Sequence, residues 1–541
     1  MTERRVRALI DGVALVALLA LGWTTMPAAH TGAVEGLPAW ATLHDAVLDG
    51  PDAGEWAANA THLHRGDVGA LDVHRMPTWL MLVAAALFGW PDVALAGHGV
   101  NHALMLALPL VVYGLGRAGG GPFTGFAAGV TVLFCAPLVV ASRRYGVDAA
   151  VAFMLPLALL AAVPVRRWWG LAPVAGAVAG LAALTHFTAL PYALPPALLI
   201  LLRGPKGWRR PAAVLLHLGA AAATVWLLSR VLPLPSPAEL VTSISEGVAK
   251  GEQAEAGALS EAARTTLLTG AAQAVPEALQ AGLSPFWAWW MPWTLVLAAP
   301  WVGVVGLGLG GCKKPDGAGL TDKLRALMSW PDLGLGLALL ACLAPLPVLA
   351  AAGAEPRYAA NLLPFAAVLV VRGLVSPFAF AEGLVRLRWS RWPRGLLALI
   401  PAWTLTWTAW HVGAPLREVP LPPLGQAVAA RELGAAIAAR FPGPGGAASP
   451  VREAAAHAGR DYCPQTPCPF GATEADFLAC VDILRAQCPG EGDIPYVVLI
   501  EGPVGVGPHE QAMGAWARAR YETVATVQRG GFLAHLVAVP R

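Results

Sequence analysis

The stretch Pro91–Arg167, PDVALAGHGVNHALMLALPLVVYGLGRAGGGPFTGFAAGVTVLFCAPLVVASRRYGVDAAVAFMLPLALLAAVPVRR, decides how the chain folds. It holds three apolar runs, at about 92–116, 122–141 and 149–165, broken only by Arg117 and then by Arg143, Arg144 and Asp148. A helix needs about 20 apolar residues to cross the hydrocarbon core. A backbone in lipid must satisfy its amides within the segment, so such runs read as membrane-spanning helices rather than loops. The same pattern extends in both directions, with predicted spans at 8–26, 170–187, 189–203, 211–231, 286–309, 333–352, 359–374 and 394–412. The first apolar run, Leu9 to Trp23, reads as an uncleaved helix, because "TMPAAH" is a poor cleavage site and many spans follow.

Composition agrees. Of 541 residues, 56% are hydrophobic and 13% charged, against roughly a quarter charged in a soluble domain. The net charge of +3 is too small to indicate a nucleic-acid partner. Basic clusters recur at Arg4–Arg7, Arg117, Arg166–Arg167, Arg203–Arg210, Lys313–Arg325 and Arg386–Arg394. Positive residues stay on the cytoplasmic side, and each interval between clusters holds a helix going out and one returning. The predicted fold class is an all-α polytopic membrane bundle of about eleven helices with a small C-terminal α/β domain outside the cytoplasm. The predicted domains are 1–412 and 413–541.

Three segments fall on the outer side. The loop 27–91 carries several acids and the half-buried stretch "PTWLMLVAAALFGW"; the loop 232–285 is mildly acidic; the tail 413–541 turns polar. In the tail, "LGQAVAARELGAAIAARF" has helical periodicity, and "IPYVVLIEG" and "YETVATVQRGGFLAHLVAV" read as strands. Cys463, Cys468, Cys480 and Cys488 all lie there. Paired thiols belong in oxidising compartments, so the cysteines and the charge rule independently place the tail outside. A zinc site is the rival reading of these four cysteines, although their spacing is not that of a ribbon or finger.

A transferase at an outer membrane face needs a carboxylate base, positive groups for a lipid phosphate and a cavity open to lipid. Asp52 and Glu55, three residues apart in "DAGEWAANATHLHRGD", are candidate bases, with helix capping by Asp52 or simple solvation as the structural alternative. Asp148 follows Arg143 and Arg144 where a span begins; the alternative is an interfacial Arg–Asp pair. His186 in "LAALTHFTALPYALPP" and Arg357–Tyr358 in "AEPRYAANLLPF" sit at outer span ends, where structural or anchoring roles compete.

Taken in order, these pieces resemble the bacterial members of the GT-C superfamily that use polyprenyl-phosphate sugars, above all the aminoarabinose transferases and the protein O-mannosyltransferase-like enzymes. The resemblance rests on Asp52, Glu55, Trp56 and Ala57, then Gly66–Asp67, then Arg75, Pro77 and Trp79 in "HRMPTWLML". It continues through "ALFGWPDVALAGH", Ser142, Arg143 and Asp148, "GLAALTHFT", and Arg357, Tyr358 and Pro364. It is good over about 1–205, patchy to 374 and absent beyond 413. Three positions depart from the family pattern: Ala53 replaces a frequent second acid, His186 stands where Lys is usual, and Met76 replaces a proline.

The resemblance implies an inverting glycosyltransferase in the bacterial inner membrane, with its N-terminus cytoplasmic and its C-terminal domain periplasmic. Its donor would be a polyprenyl-phosphate-linked sugar, and its acceptor an envelope lipid, glycan or protein. Asp52 would be the catalytic base, with Glu55 as fallback, and Asp148 would bind or orient the acceptor. Arg75, Arg143, His186, Arg357 and Tyr358 would face the carrier phosphate. A divalent metal serves only part of the superfamily, and no compact ligand cluster in this sequence requires one. Asp52, Asp148, Arg75, His186 and Arg357 are therefore expected to line one outer cleft. Two other classes stay open: a flippase of lipid-linked precursors, which predicts midspan charges and paired repeats, and an inactive scaffold that keeps the fold.

Overall fold

The structure is a computed structural model of the whole chain. It describes residues 3–25, 93–133, 145–185, 194–231, 425–440, 452–459, 515–529 and 532–538, short runs at 446–447, 461–462 and 496–501, and scattered positions within 53–60, 135–142, 361–371 and 474–482. The chain divides into two compact units. One comprises Met1–Met26, Ala103–Ala141 and Val147–Val419; the other comprises Pro27–His102, Ser142–Gly146 and Pro420–Arg541.

Seven helices cover the first seven predicted spans: α1 (Glu3–Thr25), α2 (Val93–Gly120), α3 (Pro122–Leu133), α4 (Asp148–Ala162), α5 (Ala172–Thr185), α6 (Leu194–Arg203) and α7 (Arg209–Val231). By length and composition, Ala96–Gly119, Asp148–Arg166 and Arg209–Arg230 are sufficient to cross a membrane; Ala8–Trp23, Pro122–Leu133 and Trp169–Thr185 are shorter apolar helices. Residues 363–368 are helical within the predicted span 359–374, and the predicted spans 286–309, 333–352 and 394–412 lie outside the described residues.

Helix α3 is described to Leu133, and within the predicted span to 141 Leu138 and Ala141 are again helical. The amides of Cys135 and Leu138 bond back to the carbonyls of Val132 and Cys135, three residues earlier. In the sequence Pro137, which has no amide to donate, falls within this stretch. A 3-10 turn, Val163–Arg166, prolongs α4 with Pro164 at its start.

Helix α1 carries an exposed apolar stripe. Leu9, Val13 and Val16 are 58%, 62% and 68% exposed, at the i, i+4, i+7 spacing of one helical stripe. The exception is Asp11. Arg117 of α2 donates to its two carboxylate oxygens at 2.6 and 2.5 Å, and the Tyr113 hydroxyl donates to one of them. A carboxylate in an apolar helix is costly unless paired, and this pairing sets the N-terminal part of α1 beside the C-terminal end of α2. The Trp169 and Trp208 rings meet edge to face at 5.7 Å, joining the two turns that carry Arg166–Arg167 and Arg209–Arg210. Indoles and basic residues together mark a membrane–water boundary. In both contacts the paired segments are ones that the basic clusters assign to a common side.

Helices α5 and α7 pack backbone to backbone. A Cβ on Gly176 would stand 2.1 Å from the carbonyl oxygen of His217, and one on Gly180 would stand 2.7 Å from that of Ala221. Glycines four apart on one helix meet residues four apart on the other, which is the small-residue seam of membrane helix pairs.

In the second unit the tail is a small α/β domain. Helix α8 (Gly425–Arg440) matches its predicted range, and β3 (Tyr496–Glu501), β4 (Glu522–Arg529) and β5 (Phe532–Ala538) form an antiparallel sheet in the order β3-β5-β4. Within the predicted run 521–539, β4 and β5 pair antiparallel from Glu522↔Ala538 to Arg529↔Phe532. Three small elements carry no sequence signal: β1 (Gly446–Ala447) pairs in parallel with β2 (Asp461–Tyr462), and α9 (Arg452–His457) lies between them. Ala429, Ala430, Leu433 and Ile437 of α8 form the core with Ala454, Ala534 and Leu536.

His457 ends α9 against α8, where a Cβ on Gly434 would stand 2.5 Å from its own. Burial first, then the positive charges of Arg431 and His98, push the His457 pKa from 6.5 down to about 3. The fold holds this imidazole neutral while an unfolded chain protonates it below about pH 6.5. Its contribution to stability is therefore complete above that pH and is lost as the pH falls toward the folded value, with a slope of at most about 1.4 kcal/mol per pH unit. Hydrogen exchange of the 425–440 and 452–459 peptides in the full chain should accelerate between pH 7 and pH 5, and His457→Gln should remove that acceleration beyond the ordinary chemical pH dependence. A wild-type profile in the Gln variant would assign the acid sensitivity to another group.

Candidate functional site

Asp148 is the first residue of α4 and is buried, with Val147 at the N-cap making no side-chain cap bond. A carboxylate here meets the partial positive charge of the helix N-terminus, which offsets part of the cost of burying it at a span edge. The reason for a helix start at this point lies in "RRYGVD": Gly146 interrupts the chain, and the apolar run begins after Asp148.

The turn before α4 is held by α2. The Asn101 side-chain amide donates to the Gly146 carbonyl at 2.9 Å. The Tyr145 ring is 2% exposed. It meets the His98 ring edge to face, with centroids 5.8 Å apart and planes at 74°. A Cβ on Gly97 would lie 2.0 Å from Cε2 of Tyr145, so glycine is what admits the ring at this point on α2. Gly97, His98 and Asn101 are spaced i, i+1, i+4, and present one face of the helix to the turn.

On its other side Tyr145 packs in a cluster with Ala53 and Ala57, joined by the half-buried Trp56 and by Ala456 of α9. Ala53, Trp56, Ala57 and Ala60 are helical, and their i, i+3, i+4, i+7 spacing puts them on a single face. The alanines at 53, 57 and 60 are buried. This face belongs to the 27–91 segment and adjoins Asp52 and Glu55 in sequence.

Among the predicted site residues Asp148 is described. Asp52, Glu55, Arg75, Arg143, His186, Arg357, Tyr358, Cys463, Cys468, Cys480 and Cys488 lie outside the described residues. Several of their motif neighbours are placed: Trp56 and Ala57, the buried Ser142, and the buried Pro364 in the helical run that follows Arg357–Tyr358. Thr185, whose hydroxyl donates to the Leu181 carbonyl at 3.0 Å, closes α5 immediately before His186. No group of three or more His, Cys, Asp or Glu placed to hold a metal ion occurs among the described residues. The sequence reading missed Tyr145, His98 and Asn101, although polar residues inside the apolar run "GHGVNHALML" were an available signal. It also passed over Asp11, the one acid within the apolar run of the first span.

Apolar helices make up the described part of the first unit, and in the second residues of the 27–91 segment pack with elements of the small C-terminal α/β domain. No protein-family model matches the sequence, and no curated protein sequence does. The likeness is to solved structures. ArnT from Cupriavidus metallidurans bound to undecaprenyl phosphate matches at a TM-score of 0.53 and 12% identity, over 99% of this chain and 98% of that one. The same protein in its apo state matches at 0.53 and 13%, over 97% of each chain. The archaeal oligosaccharyltransferase AglB from Archaeoglobus fulgidus, in complex with an inhibitory peptide and a dolichol-phosphate, matches at 0.53 and 12%, over 98% of this chain and 76% of that one. The likeness is therefore one of fold.

Proposed function

We propose that this chain is a polytopic membrane glycosyltransferase, which moves a sugar from a polyprenyl-phosphate donor to a lipid, glycan or protein acceptor at the outer face of the bacterial inner membrane. The observation that carries the reading is the likeness of fold, over 99% of the chain, to ArnT solved bound to undecaprenyl phosphate. The ordered motif series from Asp52 to Pro364 supports it independently.

In this mechanism Asp52 takes the proton from the acceptor hydroxyl or amine as that atom attacks the anomeric carbon. The new bond forms as the bond from the anomeric carbon to the phosphate oxygen breaks, inverting the centre in one displacement. The electron pair leaves on the polyprenyl phosphate. Arg75, Arg143, Arg357, protonated His186 and the Tyr358 hydroxyl steady the charge that develops there. Asp148, at the helix start, orients the acceptor. Residues 1–412 form the catalytic membrane domain with its N-terminus cytoplasmic, and 413–541 the periplasmic domain. Mass spectrometry of envelope glycans and glycolipids with and without the protein tests the reading: one sugar-bearing species should disappear on deletion and return with the wild-type gene. Identical profiles would remove it.

The periplasmic placement carries its own prediction. Residues 474, 475, 478, 479 and 482 are helical. Cys480 and Cys488, eight residues apart, would stand roughly 12 Å apart along such a helix, beyond the roughly 7 Å Cα separation that a disulfide spans. Non-reducing peptide mapping is expected to pair Cys463 with Cys480 or Cys488, and Cys468 with the other. A Cys480–Cys488 bond would refute a helix through both, and four free thiols would count against the outside placement of the tail.

A further inference from the structure

We propose that Tyr145 is a positioning residue of the transferase: its ring fixes the segment that carries Asp52 and Glu55 against α2. The argument rests on the proposed role of Asp52 but stands on geometry around Tyr145 alone. Tyr145 is among the largest fully buried side chains. The surfaces about it are cleared of bulk, by Gly97 on α2 and by Ala53 and Ala57 on the first outer loop. An aromatic ring set among such small residues makes contact in several directions and has two stiff χ angles, so it transmits position with little give. The turn that bears it is itself anchored, through the Asn101–Gly146 hydrogen bond and the edge contact with His98.

Two features tie this packing to chemistry. Ala53 follows Asp52 directly in the chain and Trp56 follows Glu55, so whatever fixes the alanine face constrains the backbone on which both acids sit. Asp148 comes three residues after Tyr145 and opens the next helix. A catalytic group displaced by about 1 Å can lose about a hundredfold in rate. The cluster also assigns a task to the C-terminal domain, because Ala456 of α9 packs against it. The domain therefore backs the acid-bearing segment from a different part of the chain.

The test uses the full-length protein in native membranes and after purification. Tyr145→Leu removes the ring, Tyr145→Phe keeps it, and Gly97→Ala leaves Tyr145 in place but sets a methyl at 2.0 Å from its ring. Hydrogen exchange of peptides spanning 50–60 should rise at least about fivefold in the Leu and Ala variants, with α5 and α7 unchanged. Transfer, read as the sugar-bearing product in membranes, should fall at least about tenfold in both. Binding of undecaprenyl phosphate as a probe should stay within about twofold, and Tyr145→Phe should restore at least about half of the product. Wild-type transfer in folded Tyr145→Leu, or equal loss of undecaprenyl phosphate binding and transfer, would overturn the proposal. So would unchanged exchange at 50–60. Should Tyr145→Leu fail to fold, Gly97→Ala and Tyr145→Phe decide. Full transfer by Asp52→Asn would instead remove the catalytic reading of Asp52, and the exchange data would still judge the packing role of Tyr145.

Discussion

Asp52→Asn is expected to lower sugar transfer by at least about a hundredfold while the protein still folds and inserts. The magnitude is that of general-base catalysis, about 10²–10⁴-fold. An amide keeps the size and shape of the carboxylate but cannot take the acceptor's proton near neutral pH. The measurement is product formation in membranes at matched protein level, with thermal melting of the purified variant to establish folding. Glu55→Gln in parallel separates the two acids: if Asp52 is the base, the Gln variant keeps substantial transfer. Should Asp52→Asn turn over normally and Glu55→Gln lose activity, the base is Glu55. If neither changes, the first outer loop does not carry the proton transfer.

The second large effect falls on stability. Gly176→Leu is expected to open the α5–α7 seam, because any Cβ at this position lies 2.1 Å from the His217 carbonyl oxygen and the obstacle is backbone, which cannot rotate away. Overpacking costs typically 1–3 kcal/mol, and four side-chain carbons aimed at a helix backbone put this case at or above the upper end. Gly219→Ala supplies the contrast. It lies on α7, but a Cβ there meets nothing within 4 Å, and alanine is the better helix former by about 1 kcal/mol. The melting temperature in detergent should fall steeply for the first variant and hold or rise for the second. Equal melting temperatures would show that the seam is not a stabilising contact in the membrane protein.

Both expectations draw on features that were unevenly visible in the sequence. The lengths of the apolar runs decided the spans because the requirement is local: each helix must satisfy its own amides in lipid and must be long enough to cross it. That is why α1 through α7 appear where hydropathy placed them, with departures at their ends, such as α2 running on to Gly120. The tail's strands and α8 were legible for the same reason, through strand-like patterning and helical periodicity.

The sequence alone thus determined the helical segments, the basic sidedness pattern and a set of candidate acids and cations. These depend on spacing along the chain and on transfer from water to lipid, which act residue by residue. Only the tertiary structure decided which residues meet. Asp11 with Arg117 is separated by more than a hundred residues in the chain, and Tyr145 reaches Ala53, Gly97 and Ala456 across the loop, a helix and the C-terminal domain. Nothing in local periodicity encodes such pairs, because an apolar ring or a glycine gains its role only from the surface it is packed against, and that surface comes from elsewhere in the chain.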